Sequence, residues 1–292
     1  MTTVPAAGDA SRPCVSGCLR RQAVPGGEDR RRETAANEEN ARRSRSRVLS
    51  VNVGRAVQAD WHGRTVRSSI WKSPVTGPVE ARGVNLIGDA QADRKAHGGP
   101  DKAVYAYAAE DLDWWNGQLG SGLGPGSMGE NLTTTGVDLS AAVVGERWQV
   151  GSVQLQVTQP RIPCYKLGIR LGDDQFPRRF VEARRHGVYL RILTEGELQA
   201  SDEVHVVHRP AHGLRAVDVA HIFYDQHQRA RDLLCVPELA ASWHRWARRI
   251  LDAASHEDIE DAGQRLRRAR PHGRVRRCPH GPPAQGPHGP SL

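Results

Sequence analysis

Long apolar runs are absent from this sequence. No stretch approaches the roughly 20 residues that a bilayer-crossing helix needs. The N-terminus opens without the apolar core of a secretory signal and carries arginine early. Both absences point to a protein of the reducing cytoplasm. Cysteine is scarce: Cys14, Cys18, Cys164, Cys235 and Cys278 are odd in number and scattered over 292 residues, which excludes a disulfide framework. Cys14 and Cys18 form a C-x3-C pair, but structural zinc normally takes four ligands and the first histidine is His62. Incidental cysteines are the expected reading. The phosphate-binding pattern G-x-x-x-x-G-K-[ST] and the zinc pattern H-E-x-x-H are missing as well. Gly120 to Gly126 is rich in glycine but lacks dinucleotide-loop spacing, and no helix follows it at once. Apolar residues are few, at 38%, with a mean hydropathy of −0.58. Part of the chain is therefore not expected to pack.

The net charge of +8 suggests a nucleic-acid partner, but its distribution argues otherwise. Ten Arg against six acids give residues 1–47 a charge of +4, and seven Arg without an acid give residues 265–292 a charge of +7, which leaves −3 for residues 48–264. The tails can bind polyanions weakly; the ordered region has no need of a duplex-binding face. Both tails read as disordered. The first is an Arg-, Glu- and Gly-rich arm, and the last carries the triplet Pro-His-Gly three times.

Order is expected to begin at Val48. Residues 48–210 read as mainly β, with short strands at Val48–Val53, Ser69–Lys72, Gly77–Ala81, Ala103–Tyr107, Gly129–Thr133, Arg147–Val150, Val153–Val157, Val188–Leu193 and Glu203–Val207. Leu112, Trp115 and Leu119 predict a helix over Ala109–Leu119. Phe176, Phe180 and Ala183 predict another over Phe176–His186, stopped by Gly187. Residues 215–252 change to helical patterning, broken at Asp225-Gln226-His227 and at Pro237, and read as a small appendix of three helices. Cys235, after Leu233-Leu234, is expected in its core.

Three polar clusters interrupt the β region. Gly88 to Lys102 holds three Asp, one His and three basic residues around Gly98-Gly99. Paired glycines let backbone approach a ligand and expose N–H groups to an anion, although a solvated loop has the same composition. Gly129-Glu130-Asn131-Leu132 alone reads as a turn into a strand. In Gln159-Pro160-Arg161-Ile162-Pro163-Cys164-Tyr165-Lys166-Leu167, two prolines point to an exposed loop. The Arg161 and Lys166 flanks favour thiolate over thiol at Cys164. A lone cysteine is as often a buried packing residue, and the residues alone leave both readings open.

Taken in order, Gly88 to Asp93, His97 to Ala103, Gly129 to Leu132 and Pro160 to Leu167 resemble the MOSC family, the molybdenum cofactor sulfurase C-terminal domain, in its stand-alone YiiM-like branch. The resemblance spans about Val48 to Pro210, and the helices at 215–252 resemble the segment that follows the domain in that branch. It implies a β-barrel-like fold with a few helices and a pocket for a molybdenum cofactor (molybdopterin). Cys164 would be the molybdenum ligand. Arg161, Lys166, Arg94 and Lys102 would bind the cofactor's phosphate and pterin, and His97 and Asn131 would hydrogen-bond the pterin or an oxo ligand. Asp93 or Asp89 would donate protons. The implied activity is reduction of N-hydroxylated bases or amines such as 6-hydroxylaminopurine. No flavin, nicotinamide or iron–sulfur motif is present, so a separate electron-donating reductase is the expected partner. The rival reading is a carrier of the cofactor, or of a persulfide on Cys164, without turnover.

Overall fold

The computed structural model describes residues 46–92 and 98–256. Nearly all of the expected arm, the whole expected tail, Asp93, Arg94 and His97 lie outside the described residues. In chain order, β1 (Arg47–Val53) precedes a hairpin of β2 (Val57–Trp61) and β3 (Arg64–Ser68). β4 (Ser73–Val75), β5 (Val79–Arg82) and the two-residue β6 (Asn85–Leu86) follow. A 3-10 turn at Pro100–Lys102 leads into β7 (Val104–Ala108) and α1 (Ala109–Leu119). Next come β8 (Leu132–Thr135), β9 (Arg147–Val150) and β10 (Val153–Pro160), then α2 (Tyr165–Leu171) and α3 (Phe176–Ala183). β11 (Val188–Thr194), β12 (Gly196–Leu198) and β13 (Val204–His208) complete the strands. A helical stretch follows: α4 (Ala216–Tyr224), a 3-10 helix at His227–Cys235, and α5 (Ala241–His256).

Eight strands form one sheet in the order β13-β9-β10-β11-β7-β8-β1-β4. Only β7 and β8 run parallel. Parallel neighbours need a crossover, and α1 with its glycine-rich exit supplies it. The first and seventh strands of that order also meet. Val204 N–H donates to the Ser46 carbonyl at 2.9 Å and Val48 N–H to the Asp202 carbonyl at 2.9 Å, beside a bridge between Arg47 and Glu203. The sheet therefore curls back on itself, as the resemblance implied. Alternation drives the burial: Val153, Leu155 and Val157 of β10 are fully buried on one face. A second, aromatic core lies around α1 and α3, where Trp115 Nε1 donates to the Tyr107 hydroxyl at 2.9 Å and Trp115 stacks parallel to Phe180.

The helices after residue 215 pack onto the sheet. Val219, Ile222, Leu233, Leu239 and Trp243 belong to the main apolar core of the sheet, and Trp243 Nε1 donates to Gln159 Oε1 of β10 at 2.7 Å. Several local expectations change. Ser69–Lys72 is not a strand; pairing starts at Ser73. The hairpin β2–β3 went unread although Val57-Gln58-Ala59-Asp60-Trp61 alternates apolar and polar residues; most of its side chains are exposed, and its turn, His62-Gly63, places both residues at positive φ. Cys235 is exposed rather than in the core. Its segment is 3-10, with three residues per turn, so Leu233 faces inward and Cys235 turns out. The helix expected to reach His186 ends at Ala183, with Arg184, not glycine, in the left-handed region at φ 57°.

Trp243→Ala should destabilise the protein by about 4 kcal/mol, since it empties a fully buried site in the shared core. Urea unfolding should show one transition shifted to lower denaturant, because helices and sheet unfold together.

Candidate functional site

The parallel pair sets the site. Tyr105 on β7 and Asn131 at the entry to β8 become neighbours, with Asn131 N–H donating to the Tyr105 carbonyl and Tyr105 N–H to Asn131 Oδ1 at 3.1 Å. β10 ends beside them at Pro160, and the chain crosses through Arg161-Ile162-Pro163 to Cys164. Pro163 lies ahead of the helix, where its missing N–H costs no helical hydrogen bond, so α2 starts at once and Cys164 is its N-cap residue, extended at φ −127°. The exposed loop expected here is therefore overturned: Cys164 is 4% exposed. Burial pushes its thiol up, more than the Arg161 charge and the Lys166 and Leu167 N–H groups pull it down. The expectation of a thiolate fails for the same reason.

Cys164, Arg161, Lys166, Lys102, Asn131 and Asp89, six of the nine residues singled out from the sequence, line one cavity. The other three, Asp93, Arg94 and His97, lie outside the described residues. Arg161 is buried; its guanidinium donates to the Met128 carbonyl and lies 4.8 Å over the Tyr105 ring. Asp89 accepts from three donors: Gly54 N–H at 2.8 Å, Lys72 Nζ, and Asn131 Nδ2 at 2.9 Å. A carboxylate so surrounded holds three segments of the chain in place. Asn131 is likewise spent on Tyr105, Asp89 and the Asn52 carbonyl. Gln91 clamps its own loop, donating to the Val84 carbonyl and accepting from Gly99 N–H.

Sequence reasoning missed Lys72, Tyr105, Tyr189 and Glu130. Lys72 is buried in an ion pair with Asp89 and lines the same cavity; desolvation pushes its ammonium below the usual lysine range against the pull of Asp89. Two glycines allow this. A Cβ on Gly54 would lie 2.2 Å from the Trp71 carbonyl oxygen, and one on Gly126, at φ +85°, 2.5 Å from that of Lys72. The Trp71–Lys72 backbone is thus pressed between two bare backbones. Tyr105 and Tyr189 tilt against each other with centroids 5.0 Å apart, and burial keeps both phenols protonated far above neutral pH. Glu130 is buried and organises the loop beneath, accepting from Gly126 N–H, Met128 N–H and the Thr133 hydroxyl. The one signal that could have found Lys72 is a lysine directly after Ile70-Trp71.

His186 forms the wall behind Arg161. Its Nδ1 lies 3.1 Å from the Arg161 carbonyl oxygen and its own carbonyl accepts from the Tyr105 hydroxyl.

The assembled site is a buried thiol among cations, neutral phenols and amides, within a curled, mostly antiparallel sheet. The MOSC domain family model matches residues 93–205. YiiM of Escherichia coli (strain K12) is 30% identical over 206 residues, 68% of this chain and 90% of that protein. A Gibberella moniliformis protein named "Reductase" is 29% identical over 167 residues, 56% of this chain but 29% of that protein. The crystal structure of YiiM from Geobacillus stearothermophilus superposes with a TM-score of 0.59 at 28% identity, covering 70% of this chain and 98% of that one. The chain belongs to the MOSC domain family and is YiiM-like. Among the described residues no helix is long and apolar enough to cross a membrane.

Two measurements test this geometry. In peptide-resolved alkylation at neutral pH, Cys164 should react far more slowly than the exposed Cys235, and its rate should keep rising above the usual thiol range; equal rates would contradict the burial. The His186 ring, pulled down to about 4 from its ordinary 6.5 by burial and further by Arg184 and His221, gives a second. Its contribution is intact above pH 6.5. Below that the unfolded chain takes up a proton that the fold refuses until about pH 4, and stability drains across the window by about 3 kcal/mol. The urea midpoint should fall accordingly, and the fall should shrink in His186→Phe.

Proposed function

We propose that this protein binds a molybdenum cofactor through Cys164 and reduces N-hydroxylated bases or amines. The carrying observation is the buried Cys164 thiol in a cavity shared with Lys72, Arg161, Lys102 and Lys166. The donor set fits such a group. Among the described residues no cluster of His, Cys, Asp or Glu could hold a bare metal ion, so a metal at one thiol must bring its other ligands with it. A pterin dithiolene does so, and a sulfur-rich centre suits a thiolate. Lys102, Lys166 and Arg161 would face its phosphate and pterin. Bound, the cofactor would supply the two-electron redox chemistry.

The residues of the chain supply the rest. Cys164 must lose its proton on ligation, so loading is expected to release a proton. Arg161, held by the Met128 carbonyl and the Tyr105 ring, keeps positive charge beside the sulfur. Tyr105 and Tyr189 remain protonated; the Tyr105 hydroxyl is committed to the His186 carbonyl, and that of Tyr189 would be the donor to a bound group. Asp89 fixes Lys72 and Asn131, and Asp93 is the proposed proton donor. Reducing R–NHOH to R–NH2 and water takes two electrons and two protons; the electrons would come from a separate reductase. The Gibberella relative's name supports a redox role. Burial of Cys164 counts against the rival carrier of a persulfide, which must present its sulfur to another protein.

Molybdenum and pterin should copurify near one per chain from a cofactor-producing host, and both should be lost in Cys164→Ser with the fold intact. The loaded protein, fed by a chemical reductant, should convert 6-hydroxylaminopurine. Metal without turnover would sink the reductase reading and leave the carrier; no metal in either protein would sink both.

A further inference from the structure

The hairpin β2–β3 pairs with no other strand, and its two ends are held differently. The base is pinned. Gly54, ahead of β2, donates its N–H to Asp89. Ser68, the last residue of β3, is buried, accepts from Ile70 N–H at 3.2 Å and lines the Cys164 cavity. The tip is held by one contact, His62 Nε2 at 2.8 Å from Asp174 Oδ2. Between Val57 and Arg67 this is the hairpin's one hydrogen bond to the rest of the described residues.

That contact reaches from one side of the site to the other. Cys164 caps the start of α2, and Lys166 in its first turn lines the cavity. Asp174 lies three residues beyond the last residue of α2. Hairpin and helix therefore both leave the cavity wall and meet again at their outer ends. The five-residue strands reach about 17 Å, and α2 rises about 10 Å before its closing turn.

The register shows which face of the hairpin looks inward. Val57 with Ser68, Ala59 with Val66 and Trp61 with Arg64 share one face; Gln58 with Arg67 and Asp60 with Thr65 share the other. The second face is polar and fully exposed. On the first, Ala59, Trp61 and Val66 are half-buried and Ser68 is buried. The apolar face is thus the one that carries Ser68, on the side of the cavity. The clasp itself is weak, because the His62 and Asp174 side chains are 63% and 34% exposed and contacts so open to water contribute little.

We propose that β2–β3 is a strap across the entrance of the Cys164 cavity, clasped by His62 and Asp174. It lifts about its pinned base to admit a substrate and closes its apolar face over the entrance. The strap rests on the reading of the Cys164 cavity as the reacting site, but its test uses no molybdenum and no turnover.

Alkylation of Cys164 in the full-length protein, expressed without a cofactor supply, reads the strap. His62→Asn is too short to reach Asp174, yet it leaves Asn-Gly, the pair that a two-residue hairpin turn with two positive φ angles favours. The hairpin itself should therefore not loosen. Asp174→Ala breaks the same clasp from the side of α2. Each variant should speed the reaction of Cys164 with the bulky fluorescein-5-maleimide roughly two- to fivefold, the range that one exposed contact allows. Iodoacetamide, which is small, should gain less. The rate at Cys235 and the melting temperature should not change, and Gln58→Ala on the outer face should behave as wild type. Equal acceleration of both reagents would mean general loosening and would overturn the strap. So would an unchanged Cys164 rate in both variants, including no reaction in any of the proteins. Either failure leaves the metal content of wild type and Cys164→Ser to decide the reading of the site separately.

Discussion

The buried carboxylate of Asp89 is the contact on which the site depends. It draws in Gly54 N–H from the end of β1, Lys72 from the approach to β4 and Asn131 from the entry to β8. Three segments far apart in sequence thus converge on one charge. Pairs of this kind contribute little net stability against an apolar replacement, but breaking one partner away leaves a desolvated charge that costs about 3–5 kcal/mol. Asp89 and Lys72 are 3% and 8% exposed, so the penalty falls fully on either truncation. The pair is better understood as fixing one arrangement of loops than as a source of stability.

Around that anchor burial works against charge in a site rich in cations. Burial raises the Cys164 thiol, lowers the Lys72 ammonium and keeps the phenols neutral. Each shift has the same cause and opposes charge. A group that brings negative charge into this cavity therefore meets cations and donors in a setting less polar than bulk water. The ordered charge of the cavity comes from its walls rather than from a flexible surface.

Much of this was legible in the sequence, because the motif blocks consist of residue types that seldom coincide. Six residues named from those blocks share one cavity, and the curled β architecture followed from the resemblance they carry. What escaped was whatever depends on long-range geometry. Lys72 looked like the end of a strand, since nothing local reveals that Gly54 and Gly126 clear space for its backbone. The helix after Pro163 was hidden because proline forbids a helix interior and permits its start. Asp89 was read as a proton donor and Asn131 as a cofactor contact, whereas the fold engages both with its own atoms. Cys235 was misplaced because helical periodicity assumes 3.6 residues per turn and its segment has three.

The backbone of Trp71 and Lys72, gripped between Gly54 and Gly126, limits how this pocket can diversify. Side chains at its rim, such as Ser69 and Gln91, can be exchanged one at a time. The three gripping segments cannot: a residue inserted into any of them would shift a carbonyl that already touches its neighbour. New specificities on this scaffold should therefore arise by substitution at the mouth, while loop lengths at the floor stay constant across divergent descendants.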